Sequence, residues 1–139
     1  MKQRICKSYL LASAQDEWGV DQMKLALYEG DTLDPDTLTA YTSDGETSGT
    51  GYAAGGFDLT LSDGFPKLAT DAFKLLIDFE DIIVNPAQFT ARCGLIYNAS
   101  KDNRAIAVID LGAIYTAANS FALIWPQPTD NNAIIRVGA

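Results

Sequence analysis

Histidine is absent from this chain of 139 residues. Without an imidazole there is no Ser-His-Asp or Cys-His nucleophile system, no histidine acid/base catalysis and almost no common zinc site. Cysteine is scarce: Cys6 and Cys93 are the two present, too far apart for a short metal or redox spacing and too few for a disulfide scaffold. Both are expected to be buried free thiols. Positive charge is also scarce, with ten Lys and Arg against eighteen Asp and Glu, for a net charge of -8. Such a surface repels phosphate backbones and anionic headgroups, so no nucleic-acid partner is expected. Long apolar runs are missing, so no membrane-spanning segment is expected. Lys2-Gln3-Arg4 followed by an apolar stretch with Ala12-Ser13-Ala14 imitates a secretion signal, but Lys7 and Ser8 interrupt the run and secretion is not expected.

What is present is the composition of a folded domain: 47% apolar residues, 20% charged, 11 glycines and 5 prolines. The length suits one domain, 1–139. Ile5, Cys6, Tyr9 and Leu10 recur at helical spacing and predict a short amphipathic N-terminal helix over 5–15, whose polar side carries Lys2, Arg4 and Lys7. From 16 to 63 the balance inverts, and eleven acidic residues face the single Lys24.

From Gln22 onward the period is two. Met23, Leu25 and Leu27 alternate with Lys24, Ala26 and Tyr28; Phe57, Leu59 and Leu61 alternate with Asp58, Thr60 and Ser62; Phe73, Leu75, Ile77 and Phe79 line one side of a third run. Each predicts a half-buried strand. Over 88–98, Phe89, Ala91, Cys93, Leu95 and Tyr97 share one face, with Gln88, Thr90, Arg92 and Asn98 on the other. The stretches 104–111, 121–125 and 133–137 are apolar on both faces, the pattern of central or interface strands. Asp34-Pro35, Asp44-Gly45, Asp63-Gly64, Asn85-Pro86 and Lys101-Asp102-Asn103 supply turns between them. The expected fold is mainly β: an antiparallel β-sandwich over 22–139 with a short N-terminal α-helix or arm over 1–15.

Candidate chemistry is thin. Gly49-Thr50-Gly51 and Gly55-Gly56 invite a phosphate-loop reading, but they run into a strand and lack the following Lys and Ser/Thr. A tightly folded connection that needs glycine conformations is the better reading. Asp78, Glu80 and Asp81, and likewise Asp31, Asp34 and Asp36, are read as solvated rim charges, since no Ca²⁺-loop spacing is present. Ser100-Lys101 reads as a turn dipeptide and not as a nucleophile. No catalytic residue, cofactor or metal is expected.

Four stretches carry a resemblance. They are TSGTGYAAGGFDLT from Thr47, FTARCGLIYN from Phe89, NRAIAVIDLG from Asn103 and the terminal NAIIRV from Asn132. Their order and wording resemble a family of small virion structural proteins of tailed bacteriophages, over most of the chain from Lys24 to Val137. Thr47 between Glu46 and the Ser-Gly pair, and Trp125-Pro126-Gln127-Pro128, depart from the family pattern.

The resemblance implies a non-enzymatic capsid cement or decoration protein. It would bind the major capsid protein, or other virion proteins, in particles assembled in the host cytoplasm. A tail, neck or fibre-associated virion protein is the alternative, and a carbohydrate-binding module a further one. Strands apolar on both faces predict a homo-oligomer; the resemblance implies a trimer. Attachment to the partner is expected through Lys2, Arg4, Lys7 and Tyr9 of the basic N-terminal segment. The glycine loop, with Gly49, Gly51, Tyr52, Gly55 and Gly56, is long enough to contribute.

Overall fold

A computed structural model describes residues 2–6, 18–68, 74–126 and 135–138. Among them are ten strands and no helix: β1 (Lys2–Ile5), β2 (Met23–Tyr28), β3 (Phe57–Asp58), β4 (Lys67–Leu68), β5 (Lys74–Ile77), β6 (Ile82–Val84), β7 (Phe89–Asn98), β8 (Arg104–Ala117), β9 (Phe121–Leu123) and β10 (Ile135–Gly138). They form a five-stranded sheet in the order β1-β8-β7-β2-β3, a three-stranded sheet β10-β5-β4 and the two-stranded ribbon β6-β9. All pairings are antiparallel.

The N-terminus departs from expectation. Lys2–Ile5 is a strand whose residues stand opposite 107–110 of β8, and the Cys6 amide donates to the Ile106 carbonyl at 2.8 Å. The helix therefore does not begin at Ile5. The rest of its expected span, with Lys7 and Tyr9, lies outside the described residues. Helical spacing of Ile5, Cys6, Tyr9 and Leu10 was a local signal, whereas the free edge of β8 is a non-local partner for the backbone of residues 2–5.

The centre of the main sheet is buried more deeply than an alternating strand would be. In β2 both sets of side chains are covered: Met23, Leu25 and Leu27 on one face, and Ala26 and Tyr28 on the other. In β7 the alternation holds from Phe89 to Cys93, after which every residue to Asn98 is buried. Asn98, expected on the polar face, has no exposed surface. Its amide nitrogen donates to Asp21 Oδ2 at 2.8 Å and its carbonyl oxygen accepts the Ser100 amide at 2.9 Å, which satisfies the buried group. In β8, Ala105 to Ile109 are likewise buried on both faces, as befits a strand flanked by β1 and β7.

The outer end of β8 is different. Ala91 stands opposite Tyr115 and Cys93 opposite Asp110, so the single residue Arg92 faces an excursion over 111–114. Gly112 turns within it at φ 88°, and Asp110 Oδ1 accepts both the Gly112 amide, at 2.8 Å, and an Arg92 guanidinium proton. This bulge swings 112–116 out to solvent before Ala117 returns to the core.

One hydrophobic cluster takes side chains from the main sheet, from the β6-β9 ribbon and from the end of β5. Aromatic pairs connect these parts, with centroids of Phe89 and Phe121 at 4.9 Å and of Phe79 and Trp125 at 5.9 Å. Trp125 is fixed by its indole N–H on the Glu80 carbonyl and its amide on Asp81 Oδ1, both at 3.0 Å. Both cysteines are free and buried, as expected from their scarcity.

Candidate attachment site

The glycine segment is bound down onto its own sheet. Its anchor is Glu46, whose Oε1 accepts the Tyr52 hydroxyl at 2.6 Å and the Gly55 amide at 2.8 Å, while Oε2 accepts the Tyr41 hydroxyl at 2.5 Å. The Tyr52 oxygen also accepts the Leu27 amide at 2.9 Å, and the Tyr97 hydroxyl donates to the Gly55 carbonyl at 2.5 Å. Tyr41 stacks on Tyr97 at 4.9 Å, and Tyr52 packs edge-on against Phe57 at 5.5 Å. Burial pushes the phenols of Tyr28, Tyr52 and Tyr97 up, and lifts that of Tyr41 to about 12. For Tyr41 and Tyr52 the hydrogen bond to the Glu46 carboxylate, which needs the phenolic proton, adds to the effect.

The two ends of the segment explain its glycines. A Cβ on Gly56, at φ 88°, would fall well inside van der Waals contact of the Leu25 carbonyl oxygen in β2; one on Gly49, at φ 144°, would do the same to the Gln88 carbonyl oxygen beside β7. Glycine is required at both positions because backbone meets backbone. Gly51 rests over Pro86. Thr47 is buried and joins both strands: its amide donates to the Leu27 carbonyl and its hydroxyl to the Thr90 carbonyl at 2.7 Å. The segment thus lies across β2 and the start of β7, with Ser48, Thr50, Ala53 and Ala54 exposed along its outer rim.

The described basic residues of the N-terminal segment, Lys2 and Arg4, belong to β1, at the edge of the main sheet opposite β2 and β3. Lys2 is in β1 opposite Asp110, and Arg4 is exposed, its guanidinium 3.6 Å from Asp36. Tyr9 and Lys7 lie outside the described residues. Arg4 therefore meets the acidic segment of its own chain, through an exposed pair of the kind that contributes little to stability.

Of the other candidates, Asp78, read as a solvated rim charge, is instead buried, while Glu80 and Asp81 are exposed. Asp34 Oδ1 caps the Asp36 amide at 2.9 Å, and Asp31 lies 3.9 Å from Arg92. The Ser100 hydroxyl accepts the Gln22 amide, and Lys101 pairs with Asp21 at 2.7 Å. Among the described residues no group of three or more Cys, Asp or Glu could hold a metal ion.

Sequence reading missed Glu46 as the hub, since Asp44 and Glu46 both lie between Tyr41 and Tyr52 and nothing in the local pattern separates the anchoring carboxylate from the exposed one. It also missed the exposed Ile83, Ile114 and Tyr115, which lie outside the stretches read as apolar on both faces, whereas the exposed Ile124 lies within one of them, 121–125. Comparison of the chain with protein-family profiles, curated proteins and solved structures found no match.

Proposed function

We propose that this chain is a non-enzymatic structural protein of a tailed-phage virion, a capsid cement or decoration protein that binds the major capsid shell as a homo-oligomer. The observation that carries the reading is how the residues of the resembling stretch are used. Gly49, Tyr52, Gly55 and Gly56 are taken up, with Glu46 just ahead of the stretch, in fastening one loop to one sheet. A signature of this kind maintains an architecture, and it leaves the loop rim for a partner. The proposed architecture is a β-sandwich, with the main sheet packed through Phe89 on the ribbon that carries Phe121.

Attachment is assigned to the basic N-terminal residues Lys2, Arg4 and Lys7, with Tyr9, together with the glycine-loop rim. Deleting the arm would remove β1 from the main sheet and Cys6 from the core, and would confuse attachment with folding. Charge reversal at Lys2, Arg4 and Lys7 avoids this. Added to particles depleted of the protein, the triple variant is expected to reach lower occupancy than wild type, with the difference shrinking as salt rises. Equal occupancy at low salt would remove the basic segment from the account.

A further inference from the structure

Two turns of the chain hold the same dipeptide, Asp44-Gly45 and Asp63-Gly64. An aspartate side chain closes most easily on the backbone when glycine follows it, because glycine carries no Cβ to shield its amide nitrogen. Locally the two pairs are alike. Both are exposed, and both occupy the middle of a turn: the Glu46 amide donates to the Ser43 carbonyl at 3.2 Å, and the Phe65 amide to the Ser62 carbonyl at 3.1 Å. Gly45 and Gly64 share a left-handed backbone, at φ 74° and 84°.

They differ in what holds them. The Asp44 amide donates to Thr42 Oγ1 at 3.2 Å, and the Gly45 carbonyl accepts the amide of Glu29, just past β2, at 3.2 Å. The next residue is Glu46, fixed by Tyr41, Tyr52 and Gly55, and Thr47 after it is buried. Among the described residues neither Asp63 nor Gly64 makes a hydrogen bond, and a Cβ on Gly64 would meet nothing within 4 Å. To bring the glycine nitrogen onto the aspartate Cγ, the peptide between them must rotate. At 44–45 that rotation pulls against the end of β2 and against the Glu46 anchor; at 63–64 it disturbs only the turn itself.

We propose that Asp63-Gly64 is a site of spontaneous backbone modification in the folded chain, converting to isoaspartate, and that the anchored Asp44-Gly45 is protected from the same reaction. The Gly64 nitrogen attacks Cγ of the neutral Asp63 carboxyl. An N–Cγ bond forms, the Cγ–O bond breaks, and the hydroxyl leaves as water with the amide proton, which gives a cyclic succinimide. Water then opens the ring. Opening at Cγ restores aspartate, whereas opening at the main-chain carbonyl carbon leaves the backbone running through Cγ, one methylene longer, with a free α-carboxylate. Water is the one co-reactant, and the mass of the chain is unchanged. The inference stands without the virion reading, since it needs only the two turns and their surroundings.

Ageing of the full chain tests it. The protein is held for weeks near neutral pH, native and in denaturant, and is then unfolded and digested with an endoproteinase that cuts before aspartate but not before isoaspartate. In the native sample, cleavage before Asp63 is expected to be lost more than about tenfold faster than cleavage before Asp44. In denaturant the two should be lost together. Gly64→Ala, whose Cβ shields the amide nitrogen, is expected to slow the loss at 63 and to leave 44 as in wild type. Wild type alone decides the question, so the test survives a Gly64→Ala that fails to fold. A native chain in which both sites react at one rate, or in which 44 leads, would overturn the proposal, and so would a native Asp63 that stays intact while the denatured one converts.

Discussion

The Tyr52 hydroxyl donates to Glu46 Oε1 at 2.6 Å while its oxygen accepts the Leu27 amide at 2.9 Å, so one phenol ties the glycine segment to β2. Tyr52→Phe removes both bonds, orphans a backbone amide in a buried strand and leaves the carboxylate short of a donor. The expected loss is about 2 kcal/mol of stability. Glu46→Gln keeps an oxygen for Tyr52 and Gly55 and disturbs chiefly the Tyr41 bond, so about 1 kcal/mol is expected. Urea denaturation of the three proteins checks the order.

Gly56 and Gly64 share a left-handed backbone, at φ 88° and 84°, but differ in their surroundings. A Cβ on Gly56 runs into the Leu25 carbonyl, whereas nothing lies within 4 Å of one on Gly64. Gly64→Ala should therefore cost only the conformational strain, about 1 kcal/mol. Gly56→Ala adds a backbone displacement in a core strand and is expected to cost about 3 kcal/mol or more. Equal shifts in the urea midpoint would contradict the account of the loop.

Stability should fall on the alkaline side. Burial lifts both thiols from an ordinary value of 9.0 to about 11, and Tyr41 from 10.0 to about 12, with Tyr28, Tyr52 and Tyr97 also raised. In that window the folded chain holds protons that the unfolded chain has released. The stabilisation is present in full below the unfolded values and is lost as pH rises through the folded ones. The urea midpoint should be flat near pH 8 and decline steadily from about pH 9 upward. Tyr41→Phe should flatten part of the decline above about pH 10.

The same burial should silence the thiols. Cys6 and Cys93 have 0% and 1% exposure, and the Cys93 thiol donates to the Gly30 carbonyl at 3.1 Å. A disulfide reagent at neutral pH is expected to label neither in the folded protein and both in denaturant. Rapid labelling of the native chain would contradict the burial of these two sites.

What the sequence disclosed depended on whether the signal was local. Met23–Tyr28 and Phe89–Asn98 lie where the alternation predicts them, because apolar spacing and flanking turns agree there. The run expected over 57–61 pairs as a strand only at Phe57–Asp58; Leu61 meets Phe79 in an isolated bridge. Lys67–Leu68 and Ile82–Val84 are too short to show a period. Lys2–Ile5 becomes a strand through a partner more than a hundred residues away, which no local pattern records. Of the candidate site, the need for glycine at 49 and 56 was legible as a tight connection, but the carbonyls that demand it belong to Gln88 and Leu25 and appear only once the chain is folded. Of the exposed apolar side chains, Ile124 was legible in the stretch 121–125, apolar on both faces, whereas Ile114 is turned out by a bulge whose partner residues in β7 no local pattern records.

The copy number of this chain in purified particles, measured by quantitative mass spectrometry against the major capsid protein, tests the proposed function most directly. A cement or decoration protein should be present at on the order of a hundred or more copies per particle, in fixed proportion to the symmetric shell. A handful of copies would move the protein to the neck or tail, and its absence from purified particles would contradict the virion reading.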